Sequence, residues 1–189
     1  MRESSLATPI RVAAVMLATA LTAAAAHFTW PAPLTVVPFV LTPLAVVLTG
    51  AALGSRLGSL AQVLYVVLGA AGVAVFSPSA TLPPGMLRLT GPTGGYLLAY
   101  PVAAYVVGRL AERGWGRGYV TSFGAMLAGL AVIYAGGVSW LTIAYTHSLQ
   151  AALTLGLVQF LVLDLAKAVV AAMLLPRAWR LVGTPRTGA

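Results

Sequence analysis

Long apolar runs alternate with short polar or Gly/Pro-rich breaks along the whole chain. The runs cover residues 10–26, 34–53, 57–76, 95–110, 120–138 and 149–175. A helix crossing a hydrocarbon core of ~30 Å needs about 20 apolar residues, with ~17 tolerated, and in lipid the backbone must satisfy its own hydrogen bonds. The pattern therefore predicts an all-α integral membrane protein with six transmembrane helices. The fourth run is short and the sixth long, so the sixth is expected to begin in the outer interface or to tilt. The breaks fall at residues 30–33 (Trp-Pro-Ala-Pro), 54–56, 77–94, 112–118 and 139–148. Only the 77–94 connection, with four prolines, is long enough to have a task of its own. No internal repeat and no second domain is visible, so residues 1–189 read as a single transmembrane domain.

Composition agrees with that picture. Hydrophobic residues make up 60% of the chain and charged residues 7%, against about 25% charged in an ordinary soluble domain. The net charge of +8 is spread between the apolar runs rather than clustered in a patch, so it argues against a nucleic-acid partner and reads as a topology signal. With the N-terminus inside, the inner segments hold Arg2, Arg11, Arg56, Arg109, Arg113, Arg117, Arg177, Arg180 and Arg186, and the outer ones hold Arg88. Basic residues mark the cytoplasmic side, so both termini are expected there, in a multi-pass protein of the cell membrane. Arg2 and Arg11 ahead of an apolar stretch also look like a secretory signal, but the membrane-spanning remainder favours a first helix.

Several chemistries are excluded or disfavoured. The single lysine follows Ala166 in an apolar run, so there is no phosphate-binding Gly-Lys loop and no ATPase motif. The single aspartate and two outer histidines, His27 and His147, make neither an intramembrane protease nor a metal site. Cysteine is absent, which removes disulfides and thiolate chemistry. No cofactor is expected.

Three constellations remain. Asp164 and Lys167 stand at i and i+3 inside the sixth run, on one helical face. Each is costly to place unpaired in a span, so together they point toward a polar cavity, a structural ion pair, or a lysine snorkelling inward. Gly91-Pro92-Thr93-Gly94-Gly95-Tyr96 precedes the fourth run and permits tight backbone geometry; it reads as a rigid turn or as exposed peptide groups for a ligand. Ala14 and Ala18, continued by Thr22 and Ala26, form a small-residue stripe of the kind that lets another helix approach closely.

Taken together, Val37-Pro38-Phe39, the hairpin from Leu53-Gly54 to Val75-Phe76, Gly91-Pro92-Thr93-Gly94-Gly95-Tyr96-Leu97, Val132-Ile133-Tyr134 with Trp140-Leu141, and Asp164-x-x-Lys167-Ala168 resemble the BioY family. That family comprises the biotin-specific S-components of energy-coupling-factor (ECF) vitamin transporters. The resemblance implies the six-helix S-component fold, an outward-facing pocket capped by loops, and no enzymatic activity. It also implies biotin as ligand, and a transmembrane T-component with ABC-type ATPases as partners. It carries biotin contact onto Asp164 and Lys167: a carboxylate accepts from the ureido N–H groups while an ammonium donates to the ureido carbonyl. Tyr96, Tyr100, Tyr134, Trp140 and Tyr145 are expected to supply walls, Arg88 to meet the biotin carboxylate, Thr93 and Tyr96 to sit at the base of an outer lid formed by residues 77–94, and Gly94 to contact the ligand. The Ala14/Ala18 stripe is expected to dock the T-component. The chain departs from the family's V-P-x-T-x-Q at Val37-Pro38-Phe39-Val40-Leu41-Thr42, which keeps open an S-component for another vitamin. A small membrane enzyme or structural subunit is the remaining alternative.

Overall fold

The computed structural model describes residues 2–30, 39–79 and 82–182. The elements, in order, are α1 (Arg2–His27), strands β1 (Thr29–Trp30) and β2 (Phe39–Val40), and helices α2 (Thr42–Ala70), α3 (Leu87–Thr90), α4 (Gly94–Leu110), α5 (Tyr119–Leu141), α6 (Leu149–Leu153) and α7 (Gln159–Val182). Single π-helical turns at Ala111–Trp115, Thr142–Thr146 and Thr154–Val158 extend α4, extend α5 and join α6 to α7. The two strands pair antiparallel, Thr29 with Val40 and Trp30 with Phe39. Among the described residues, four stretches are long and apolar enough to cross a membrane: Thr8–His27, Thr42–Ala70, Tyr119–Thr146 and Leu149–Met173.

α2 is not one rod. Gly54 sits at φ 79°, ψ 178°, a conformation that costs a side-chain-bearing residue of order 1–3 kcal/mol, and there the helix folds back on itself. Gln62 Nε2 donates to Thr49 Oγ1 at 3.0 Å although 13 positions separate them; a straight helix would hold them about 20 Å apart. This confirms a reversal at residues 54–56, with shorter arms than the apolar runs predict. The first arm starts only at Thr42, with Pro43 in its first turn, because Phe39 and Val40 are taken up in the strand pair; the preceding residues of the 34–53 run lie outside the described residues. The second arm stops at Ala70, because Gly72 turns to φ 94° and the chain leads Phe76 back against the bundle.

α4 runs against both arms of α2. The approach is close at the hairpin tip, where a Cβ on Gly108 would lie 2.4 Å from the Ser55 amide nitrogen. Glu112 secures the same corner: its Oε1 accepts from the Ser55 amide at 2.7 Å and from the Ser55 hydroxyl at 2.8 Å, and its Oε2 accepts from Arg109 at 3.1 Å. α1 is held by polar links across the apolar interior, as membrane helices often are. Thr19 donates to the Ala61 carbonyl at 3.0 Å, and Gln62 donates to Thr22 at 3.0 Å. Val15, Ala18 and Ala61 are buried together between α1 and the second arm of α2, while Val12, Met16, Leu17 and Leu21 of α1 face outward.

Candidate ligand-binding cavity

α5 and α7 bring three polar side chains to one point. The Lys167 ammonium donates to Asp164 Oδ1 at 2.7 Å and to the Val40 carbonyl at 2.7 Å, and the Tyr134 hydroxyl donates to Asp164 Oδ2 at 2.5 Å. Asp164 is buried and Lys167 largely so. Inside a low-dielectric bundle such charge-assisted bonds are strong, and each partner offsets part of the other's desolvation. The i, i+3 spacing produces the ion pair; Tyr134, thirty positions earlier, completes it from the facing helix.

Next to this cluster lies a cavity whose lining sets a few polar groups among apolar and aromatic side chains, as small-molecule sites do. Asp164, Lys167, Tyr134, Tyr96, Thr93 and Arg88 all line it, so one cavity gathers six of the residues expected to bind ligand. Tyr96 is fixed by donating at 2.7 Å to the carbonyl of Gly156. That carbonyl belongs to the π-helical turn Thr154–Val158, and such turns relax the regular ladder and recur at functional sites. Tyr100 supplies a wall, as expected.

Other expected residues stand elsewhere. Gly94 is not among the lining residues: a Cβ there would lie 1.8 Å from the Leu89 carbonyl oxygen, so it lets α3 turn tightly into α4. Trp140 and Tyr145 are likewise supports rather than walls. Trp140 Nε1 donates to the Gly91 carbonyl at 2.9 Å and the Tyr145 hydroxyl to the Thr90 carbonyl at 2.6 Å, pinning the outer connection to the end of α5. Ala18 is buried in contact with the chain's own hairpin, and Ala14 is half-buried.

Arg88 comes from the connection between α2 and α4. The short helix α3 carries it inward until only 5% of it is exposed. Its Nη2 donates to the Ser77 carbonyl at 2.5 Å and to the Ser77 hydroxyl at 3.2 Å, while its buried Nε has no partner among the described residues. Burial pulls the guanidinium below its ordinary pKa, yet arginine remains a cation throughout the accessible range. An orphaned, buried donor beside a cavity is a place for a ligand acceptor.

Further lining residues escape a reading of the sequence. Thr42, Tyr65, Phe76, Ser77 and Phe160 face the cavity; Tyr65 and Phe76 stack edge to face with centroids 5.3 Å apart, and Phe160 meets Phe39 at 4.9 Å. Within an apolar run a wall aromatic looks the same as a core aromatic, so no local signal marks them.

Fold and cavity together define a helical membrane protein with a cavity lined by both an ion pair and a buried arginine. The chain belongs to the BioY family, whose model matches residues 1–184. It is similar to the biotin transporter BioY of Thermotoga maritima, 42% identical over 79% of this chain and 85% of that protein. It is also similar to a probable biotin transporter BioY of Pyrococcus horikoshii, 38% identical over 75% of this chain and 80% of that one. Its fold matches the crystal structure of the S-component for biotin from an ECF-type ABC transporter with a TM-score of 0.79, covering 92% of both chains at 20% identity.

Proposed function

We propose that the chain captures biotin from outside the cell as the S-component of an ECF transporter in the cell membrane, and is not itself an enzyme. The observation that carries this reading is the single cavity in which the Asp164–Lys167–Tyr134 cluster and the orphaned Arg88 Nε meet, in a member of a biotin-transporter family. Biotin matches that polarity. Its ureido ring offers N–H donors to Asp164 and a carbonyl to Lys167, its apolar ring and chain suit Tyr65, Phe76, Tyr96 and Tyr100, and its carboxylate suits Arg88.

In this reading both termini are cytoplasmic and six helical segments cross the bilayer: α1, the two arms of α2, α4, α5, and the α6–α7 rod. A transmembrane T-component and ABC-type ATPases supply the energy. α1 docks the T-component through the face around Ala14 and Ala18, with Ala14 the accessible member. Thr93 sits at the base of the outer lid, and Gly94 shapes the turn that places it.

The test is mass spectrometry of small molecules released from the purified protein by gentle heating, followed by titration of the emptied protein. Biotin should be released and should rebind. Release of a different vitamin, or an emptied protein that ignores biotin, would overturn the proposal.

A further inference from the structure

A second cavity adjoins the first on its outer side. It is lined by His27, Val73, Ala74, Phe76, Ser77, Pro84 and Arg88 among others. Phe76, Ser77 and Arg88 line both cavities, so these three side chains form the partition between an inner and an outer chamber. The partition is polar at its centre. Arg88 Nη2 is committed to Ser77 while its Nε has no partner among the described residues.

Resting on the biotin reading above, we infer that the outer chamber is an extension of the site for groups attached to the ligand's carboxyl end, so that amide-linked amino-acid conjugates of the ligand bind as well as the free acid. A free carboxylate ends at the Arg88 guanidinium. An amide carbonyl at the same point still accepts from Nε, although it loses the charge, and its substituent continues past the partition.

What the outer chamber offers suits such a substituent. The turn carrying Val73 and Ala74 lines the chamber with small or aliphatic groups, so an alkyl linker finds apolar contact there. His27 donates from Nδ1 to the Ala23 carbonyl at 2.9 Å, which leaves Nε2 of the neutral ring as an acceptor. An amino-acid ammonium is a fitting donor for it.

Biotinyl-lysine, an amide through the lysine side chain, has this shape and tests the idea. Titrate the full-length chain in nanodiscs with biotin and with biotinyl-lysine, and repeat with Ala74→Trp and Val73→Trp, which place bulk in the outer chamber and leave the inner lining alone. Biotinyl-lysine should bind the native chain within about thirtyfold of biotin. At least one tryptophan variant should weaken the conjugate about tenfold while moving biotin less than about twofold, a loss on the scale of one blocked contact region. Native protein that binds biotin but discriminates against the conjugate beyond that range overturns the extension, as do variants that shift both ligands together or neither. Native protein that fails to bind biotin overturns the underlying functional reading instead.

Discussion

Lys167 and Val40 lie 127 positions apart in the chain, yet the lysine ammonium donates to the valine carbonyl at 2.7 Å. This bond ties α7 to the strand that leads into α2, and it orients the ammonium before any ligand arrives. An ammonium has three donors and a carboxylate about four lone-pair sites. Lys167 uses two of its donors, on Val40 and Asp164, and Asp164 uses two of its sites, on Lys167 and Tyr134. What remains is one donor beside two acceptors, the complement of a ureido group. In the biotin reading, the helix-to-strand bond holds the ammonium in place for that pattern.

The proposed orientation places Arg2, Arg11, Arg56, Arg109, Arg113, Arg117, Arg177, Arg180 and Arg186 inside and Arg88 outside. Because the chain has no cysteine, Ser79→Cys and Ser4→Cys report on opposite sides. An impermeant thiol reagent applied to intact cells should label position 79 and spare position 4; the reverse pattern would invert the topology and place the Arg88 side of the cavity inside the cell.

The hairpin within α2 depends on Gly54 and on the close passage of Gly108. Gly54→Ala strains a backbone at φ 79° and drives a Cβ to 2.8 Å from Glu112 Oε1, and Gly108→Ala presses on the Ser55 backbone. Each should cost about 1–3 kcal/mol, read as a lower melting temperature. Gly114→Ala provides the comparison, since Gly114 is also at positive φ but a Cβ there would meet nothing within 4 Å. It should destabilise less than Gly54→Ala, and equal losses would mean that strain alone matters at the tip.

Glu112 makes the same corner sensitive to acid. The Ser55 amide is the largest of the influences holding its carboxyl below the ordinary value of 4.5, with the Ser55 hydroxyl and Arg109 adding to it. A lowered folded-state pKa means that the stabilisation is fully present above 4.5 and fades as pH falls through the folded value. With the side chain 40% exposed, the effect should stay below about 1 kcal/mol. Melting temperatures across this range should fall less steeply for Glu112→Gln than for the native chain; parallel profiles would assign the acid sensitivity elsewhere.

The stripe on α1 divides into two residues with different expected behaviour. Ala18 is enclosed by Val15, Ala61 and neighbouring leucines, whereas Ala14 is half-buried. Ala18→Trp should lower the melting temperature of the isolated protein. Ala14→Trp should leave melting and biotin binding near native while abolishing co-purification with the T-component. An intact complex with Ala14→Trp would restrict the stripe to internal packing.

The legible parts of this fold are those where the solvent imposes a rule. Lipid demands long apolar helices, so every apolar run except the segment outside the described residues overlaps a helix, and the Gly54 break appears as a break. Lipid also penalises charge, which made Asp164 and Lys167 conspicuous. Hydrophobicity cannot tell helix from extended chain, however, and this hid the strand pair at Val40 and the turn that delivers Phe76. It is equally silent on partners: the Tyr134 bond to Asp164 and the Thr22–Gln62–Thr49 links depend on helix rotation, which a single sequence of uniformly apolar spans leaves open. The tight approach of Gly94 to the Leu89 carbonyl is hidden for a related reason, because a glycine that admits a close carbonyl and one that admits a ligand look alike in sequence.

Substitution at Asp164 and Lys167 separates a binding pair from a purely structural one. If the pair only held α7 in place, removing either partner would leave a buried, uncompensated charge and cost about 3–5 kcal/mol of stability, and neutralising both would restore much of it. A binding pair behaves differently toward ligand. Asp164→Asn keeps the shape but turns donors toward the ureido N–H groups, and Lys167→Met keeps the length but removes the donor to the ureido carbonyl. Each should lose at least about 1.5 kcal/mol of biotin affinity, roughly tenfold or more. Tyr134→Phe removes only a bond to the carboxylate and should have the smallest effect of the three. The double variant, with both charges gone, should melt near the native temperature and fail to bind. Isothermal titration beside thermal melts of ligand-free protein decides between the readings: a stable double variant that still binds biotin with native affinity would remove the ion pair from the site.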